Sequence, residues 1–319
     1  MKEIVIISGK GGTGKTSITA SFAYLGGKDL IVADCDVDAA DMHLLMAPDF
    51  AETQAFKSGN VSVINPDQCT LCGRCFDVCR FDAISRSENS YTIDPIACEG
   101  CGYCARVCPV QAISIEYPEV GNLFISQIRT GTTMVHARLG IGADNSGKLV
   151  AKVKETAKRL AEEQNKKAVI VDGSPGIGCP VVSSLSGASY VVLVTEPTVS
   201  GFHDLKRVYD LVHTFHINAG CIINKADLNH TILQSLKTYL AKEGIEVLGE
   251  IPYDEEFTSA MTQGKTVIEY SQKIGTLLSK SWNKILGNID NAKGAPLHSI
   301  KDSEESSPIR GTMEEEEPS

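Results

Sequence analysis

Histidine, positive charge and long apolar runs are scarce in this chain of 319 residues. Its seven histidines show no metal-ligand spacing. His213 and His216 lie three apart, but at an expected helix end where capping is the common role. That leaves histidine-based metal chemistry without support. Lysine and arginine total 30 against 40 acids, a net charge of −10. Much of the excess lies in residues 290–319, which carry eight acids against three bases. Phosphate neutralisation needs a basic surface, so a dedicated nucleic-acid binder is excluded, although a local basic patch is not. No apolar stretch approaches the ~20 residues of a membrane span, so no membrane partner is expected. Residues Met1–Ser8 have too short an apolar run for a signal peptide and lead straight into a glycine loop. The expected compartment is a reducing cytoplasm, where the eleven cysteines do not read as a disulfide framework.

The composition is that of an ordinary globular protein, with 42% hydrophobic and 22% charged residues. The length fits one large α/β domain plus a small insert. An apolar run at 3–8 reads as a buried strand, a helix follows from Lys15, Gly26-Gly27 ends it, and Leu30–Ala33 reads as a second strand. Strand, glycine loop, helix and strand in that order imply a parallel sheet. From 60 to 117 the composition changes to a cysteine cassette. The α/β pattern then resumes, with a helix near 148–164 and strands at 168–172, 190–194, 218–223 and 246–251. Helices are expected at 200–215 and 229–243, and a last helical pattern at 267–289. That pattern places Ile274, Leu277, Leu278, Trp282, Ile285 and Leu286 on one face, read as sheet packing. The expected domains are 1–59 with 118–289, an insert at 60–117 and a disordered acidic tail at 290–319.

Gly9-Lys10-Gly11-Gly12-Thr13-Gly14-Lys15-Thr16 carries the first chemistry. Gly9-x-Gly11-x-x-Gly14 also fits a dinucleotide fingerprint, with Asp34 near the ribose-binding position. Lys15 and Thr16 favour a phosphate loop, because only that loop needs a lysine for the β/γ phosphates and a hydroxyl for Mg²⁺. The backbone N–H groups of Gly11, Gly12, Thr13, Gly14, Lys15, Thr16 and Ser17 would form the anion nest at a helix start.

With its early lysine, the loop resembles the deviant Walker A motif of the CobQ/CobB/MinD/ParA and nitrogenase-iron-protein superfamily. The resemblance implies an ATP-dependent homodimer in which Lys10 reaches the partner's phosphates. It implies that Asp36, in Asp34-Cys35-Asp36, orients the attacking water and that Asp34 supports the Mg²⁺ site. Asp172-Gly173-Ser174-Pro175-Gly176 looks like a Walker B strand end running into a switch, with Asp172 on Mg²⁺ and Gly176 N–H on the γ-phosphate. Asn224-Lys225-Ala226-Asp227 resembles a base-reading loop, with Asn224 as adenine contact, and Pro252 and Asp254 lie where the family closes over adenine.

Cys69, Cys72, Cys75 and Cys79 form one C-x2-C-x2-C-x3-C ladder, and Cys98, Cys101, Cys104 and Cys108 form a second, 29 residues later. Soft thiolates at this spacing resemble the bacterial ferredoxin pattern for [4Fe-4S] clusters. Structural zinc would instead place C-x2-C pairs at longer separations. The resemblance implies that the fourth cysteine crosses over. Cys69, Cys72, Cys75 and Cys108 would then hold one cluster, and Cys98, Cys101, Cys104 and Cys79 the other. Arg80 stands where a proline is expected after Cys79. Arg74 and Arg106 flank the ligands, as solvated charges, as stabilisers of reduced clusters or as a docking site for an acidic partner. Cys35 and Cys221 read as buried packing residues. Cys179, seven residues after Asp172, matches the offset of a cluster ligand in the nitrogenase iron protein, and also suits a packed helix start.

The expected fold class is a P-loop NTPase with a mostly parallel sheet flanked by helices and an inserted α+β two-cluster ferredoxin domain. The expected function is Mg²⁺-dependent ATP hydrolysis coupled to two [4Fe-4S] clusters, for gated electron transfer or for metallocluster assembly and carriage. A protein redox partner or cluster acceptor goes with it. The rival expectation is a redox-sensing positioning ATPase that acts as a binding module.

Overall fold

A computed structural model describes residues 1–140 and 145–291. The expected acidic tail therefore lies outside the described residues from 292 onward. Ile4–Ile7, Ile31–Ala33 and Val169–Val171 are buried without alternation, the condition of parallel strands covered by helices on both faces. The chain opens with β1 (Lys2–Ile7), α1 (Lys15–Gly26) and β2 (Leu30–Asp34). A short α2 (Met42–Met46) and β3 (Glu52–Lys57) follow. The segment 58–118 then leaves the sheet, carrying β4 (Val61–Ile64), α3 (Arg74–Val78), β5 (Ile84–Arg86), β6 (Tyr91–Ile93), α4 (Tyr103–Val107) and β7 (Ile113–Glu116). The chain returns through β8 (Glu119–Gln127) and β9 (Thr133–Leu139). Next come α5 (Ser146–Glu163), β10 (Ala168–Asp172), α6 (Cys179–Leu185), β11 (Tyr190–Thr195) and α7 (Val199–Thr214). They are followed by β12 (Ala219–Ile223), α8 (His230–Lys242), β13 (Glu246–Glu250), α9 (Glu256–Thr262), α10 (Val267–Tyr270) and α11 (Gln272–Asn291).

Nine strands make one sheet in the order β13-β12-β11-β1-β10-β2-β9-β8-β3. Pairs from β13 to β9 are parallel; β8 and β3 add two antiparallel pairings at one edge. The register sets Asp172 level with Ile6 on one side and Asp34 on the other, so both carboxylates emerge at the same end of the sheet. The loop after β1 opens at that carboxyl end, beside the point where strand order reverses, which is where open α/β sheets bind ligands. One face of the sheet packs on α5, α6, α7 and α8 through residues such as Val153, Leu185, Val208 and Leu236. The other face packs on α1, α2, α9, α10 and α11. There Phe22 stacks on Trp282, with ring centroids 5.3 Å apart. Truncating a buried aromatic of this kind costs about 3–5 kcal/mol.

Three features differ from the sequence expectation. β3, β8 and β9 lack continuous apolar runs and were legible only as unassigned chain; β3 has five exposed residues out of six because it is the sheet edge. The last helical pattern breaks at Ser271, where the backbone turns extended after a capping box formed by Thr266 and Glu269. Ser271 Oγ then accepts from Ile274 N at 3.2 Å and starts the next helix. Finally, the packed face of α11 runs through Ile274, Leu278, Trp282, Ile285 and Ile289, leaving Leu286 exposed.

The segment 58–118 carries its repeat into the backbone. Leu71 and Gly100, Gly73 and Gly102, and Asp82 and Gln111, each 29 residues apart, all take left-handed conformations. Strands exchange between the halves in a two-fold manner: β4 pairs with β7 and β5 with β6. Its buried apolar core is small, consisting of Cys75, Ile84, Tyr91 and Ile113.

Candidate functional site

The loop after β1 turns through Gly12 and Gly14, both at positive φ, and hands over to α1 at Lys15. A side chain at Gly14 would be strained at φ +89 and would meet Asn224 Nδ2 at 2.4 Å, so glycine is required there. Lys15 is buried, with Nζ 2.9 Å from Asp172 Oδ1 and 3.6 Å from Asp36 Oδ2. Thr16 Oγ1 donates to Asp172 Oδ2 at 2.8 Å, and Thr19 Oγ1 lies 2.8 Å from Asp172 Oδ1. Burial pulls Lys15 downward, but Asp172, Asp36 and Asp34 outweigh it and hold the ammonium above its ordinary pKa. Burial raises Asp36, partly offset by Lys15. Burial and then Asp172 push Asp34 well above the usual carboxylate range. Asp34 Oδ2 has no hydrogen-bond partner, while Oδ1 accepts from Asp36 N at 3.1 Å.

Three carboxylates around one lysine, with an orphaned buried oxygen, form a donor set that fits a hard divalent cation. Thr16 and Asp172 stand together at the point where it would be held. The cleft above them is lined by the loop residues Gly11–Ser17 and by Asp36, Asp41, Leu44, Leu45, Pro175 and Met261.

Other expected residues lie in different settings. Gly176 N donates to Ser8 O at 2.9 Å, in the loop between β1 and α1. Lys10 Nζ is 2.7 Å from Glu196 Oε1 and 2.9 Å from Ser200 Oγ in the same chain. Glu196 also takes Lys225 Nζ at 2.8 Å. These two lysines hold the Glu196 carboxyl below its usual range against the upward pull of burial. Asn224 departs from a free base contact: it is buried, its Nδ2 donates to Thr13 O at 2.8 Å, and its Oδ1 accepts from Lys225 N at 3.0 Å. Neither Asn224, Pro252 nor Asp254 lines the cleft; Asp254 Oδ2 instead faces Lys273 Nζ at 3.5 Å.

Thr19 and Glu196 were not singled out from sequence. A polar residue one turn after the phosphate loop, and an acid ending a buried parallel strand, are the signals that point to them. Ser174 was likewise missed; its Oγ donates to Cys35 O at 2.7 Å and ties the two Asp-bearing loops together.

No residue of 60–117 lines the cleft, because α2 and β3 intervene. Leu44 and Leu45 of α2 line the cleft. Arg129 grips α2 from the β8–β9 turn, with Nε donating to Leu45 O and its backbone N to Met46 O, both at 3.0 Å. Asp49 joins α2 to β8 by accepting from Gln127 N at 2.9 Å, and β3 then leads directly into the cysteine segment.

There the eight ladder cysteines sort into two cavities. Cys69, Cys72, Cys75 and Cys108 line one; Cys79, Cys98, Cys101 and Cys104 line the other. Among the described residues no group of three or more His, Cys, Asp or Glu side chains closes around a point that would hold a single metal ion. Each set brings four soft sulfur donors to one site, walled by residues such as Ile64, Tyr91 and Ile113 or Ala83, Ile84 and Ile93, a donor chemistry that would suit an iron–sulfur cluster. Ala112 N already donates to Cys108 Sγ at 3.2 Å, the kind of amide–sulfur bond that supports a ligating thiolate. Cys179 is exposed at the start of α6, apart from both cavities, while Cys35 and Cys221 are fully buried, with thiols that burial raises. Among the described residues no helix is long and apolar enough to cross a membrane.

Comparison with known proteins adds the family context. The CobQ/CobB/MinD/ParA nucleotide-binding domain matches residues 4–267. The uncharacterised protein MJ0578 of Methanocaldococcus jannaschii is 30% identical over 285 residues, covering 89% of this chain and 96% of that protein. A second protein of that organism, MJ0579, is 25% identical over 282 residues, covering 85% of this chain and 94% of its own length. Among solved structures, the septum site-determining protein MinD from Pyrococcus horikoshii, complexed with Mg-ADP, superposes with a TM-score of 0.55 at 17% identity, covering 92% of this chain and 97% of that one. MinD from Pyrococcus furiosus gives 0.54 at 18% identity, covering 90% and 99%. These structural likenesses concern the fold.

Proposed function

The chain belongs to the CobQ/CobB/MinD/ParA nucleotide-binding family, and from that membership we propose a Mg²⁺-dependent ATPase whose nucleotide state governs an inserted unit with two [4Fe-4S] clusters, for gated electron delivery. Lys15 and the loop N–H groups bind the phosphates. Thr16 and Asp172 would hold Mg²⁺, with Asp34 behind them, and the ion would neutralise charge on the β- and γ-oxygens. Asp36 orients a water toward the γ-phosphorus; the terminal P–O bond breaks, and ADP and phosphate leave. Lys10 exchanges Glu196 for the phosphates of a second copy when two chains close over nucleotide. Movement of the Asp36 loop passes through α2, held by Arg129, to β3 and the insert.

Cys69, Cys72, Cys75 and Cys108 would hold one cluster and Cys79, Cys98, Cys101 and Cys104 the other. Bound clusters supply one-electron storage. The observation that carries this reading is the partition of eight cysteines into two cavities of four. Complete ligand sets suit a resident cluster better than a cargo passed onward.

The test is anaerobic purification with iron, acid-labile sulfide and ATPase assays on one sample. The reading expects about eight iron and eight sulfide per chain, and hydrolysis that disappears in Lys15→Ala. ATP-driven self-association without labile sulfide would favour the positioning ATPase instead.

A further inference from the structure

Between the ladders, α3 and α4 border an open groove lined by Arg74, Asp77, Val78, Arg106, Val107 and Cys108. Both guanidiniums are exposed, and neither makes an ion pair or hydrogen bond among the described residues. Arg129, Arg159 and Arg207, on the body, each pair with an acid. The repeat does not explain the two groove arginines, because a 29-residue shift sets Arg74 against Tyr103 and Arg106 against Asp77. Within 60–117 acids outnumber bases, and all the bases are arginine, without one lysine. A guanidinium presents a fixed fork that matches a carboxylate, which a lysine does not. Val78, Val107 and Pro109 line the groove beside the arginines, with Asp77. Arginine next to apolar side chains is a composition that binding hot spots favour. Cys108 lies in the same groove, so an occupant sits against a ligand of the first cavity.

We infer that this groove docks the carboxylate-bearing face of an acidic electron-carrier protein, with Arg74 and Arg106 as its two anchors. The inference rests on the cluster reading and names its partner class. Among the described residues lining the groove the two arginines are the cations and Asp77 the acid, so the pair of guanidiniums fixes one orientation of the carrier.

The test titrates the anaerobic holoprotein with an oxidised acidic flavodoxin as probe, followed by calorimetry at 50 and 200 mM salt. Saturable binding that weakens with salt is expected. The double variant Arg74→Glu with Arg106→Glu should bind roughly tenfold more weakly or worse. Arg74→Lys with Arg106→Lys, which keeps charge but loses the fork, should fall in between. Iron and sulfide are measured on every sample. Unchanged or tighter binding in the glutamate variant with full iron and sulfide overturns the docking site and leaves the cluster reading standing; so does the absence of saturable binding by the unaltered protein. Binding that appears only after removal of residues 292–319 assigns the groove to the chain's own acidic segment and also overturns it. Absent sulfide in the unaltered protein is the separate failure of the cluster reading.

Discussion

Around Lys15 the side chains satisfy one another: Asp172 takes Lys15, Thr16 and Thr19, and only the Thr13 hydroxyl and one oxygen of Asp34 are buried without a partner. In the cysteine unit the pattern is reversed. Cys104 Sγ donates to Ser62 Oγ, Ala112 N donates to Cys108 Sγ, and the buried apolar core has four members. The body is a nine-stranded sheet with a packed layer on each face. A unit of some sixty residues with so small a core needs staples. Under the proposed function, ligation would be a folding term in the insert and a functional term in the cleft.

The largest expected effect breaks this comparison at the insert. Cys75→Ala removes a ligand and a core residue together. About half the iron should be lost, and limited proteolysis should cut within 60–117 while the body stays intact. Equal protease resistance in the variant would mean that the unit folds on its own apolar core.

Lys15→Ala attacks the cleft in the opposite sense. It leaves Asp34, Asp36 and Asp172 facing one another without the buried cation. Removing one member of a buried ion pair costs about 3–5 kcal/mol. Denaturant unfolding should show that loss in the body, and nucleotide binding by calorimetry should vanish, with iron content unchanged. Asp34→Asn sharpens the same point at smaller scale. It relieves a buried carboxyl crowded by Asp172, so the nucleotide-free protein should gain about 1 kcal/mol, the usual scale of a relieved buried polar group. Mg-nucleotide binding should weaken at the same time. Gain in one state and loss in the other is the signature of a site held in tension for a cation.

The smallest effect concerns the connection between the two regions. Arg129 pairs with Glu269, with Nη1 2.6 Å from Oε1, and holds its carboxyl down at about 2. The unfolded reference is 4.5, so this stabilisation is present above pH 4.5 and is lost as pH falls toward 2. Glu269→Gln should cost about 1 kcal/mol at neutral pH. The difference from the unaltered protein should shrink below pH 4.5 in thermal unfolding, and a pH-independent difference would contradict the pairing.

Chemistry that depends on local spacing was legible in the sequence. The phosphate loop, the Asp172 strand end and both cysteine ladders are read within a few residues, and the structure sets them where a parallel sheet and a repeated unit require. Pairings created by strand order were not legible. Glu196 reaches Lys10 because β11 lies beside β1, and nothing near either residue encodes that adjacency. The edge strands escaped for a different reason: β3 is too exposed to carry an apolar run. The buried amide of Asn224 shows the same limit, since a base-reading motif does not reveal that the loop itself consumes its donor.

The coupling of cleft to clusters is tested most directly by redox titration of the anaerobic protein, monitored by paramagnetic resonance, with and without Mg-ATP. The account predicts that nucleotide moves at least one cluster potential by about 59 mV or more, a tenfold change in a one-electron equilibrium. Two titration curves that superimpose, from protein with full sulfide and bound nucleotide, would contradict it.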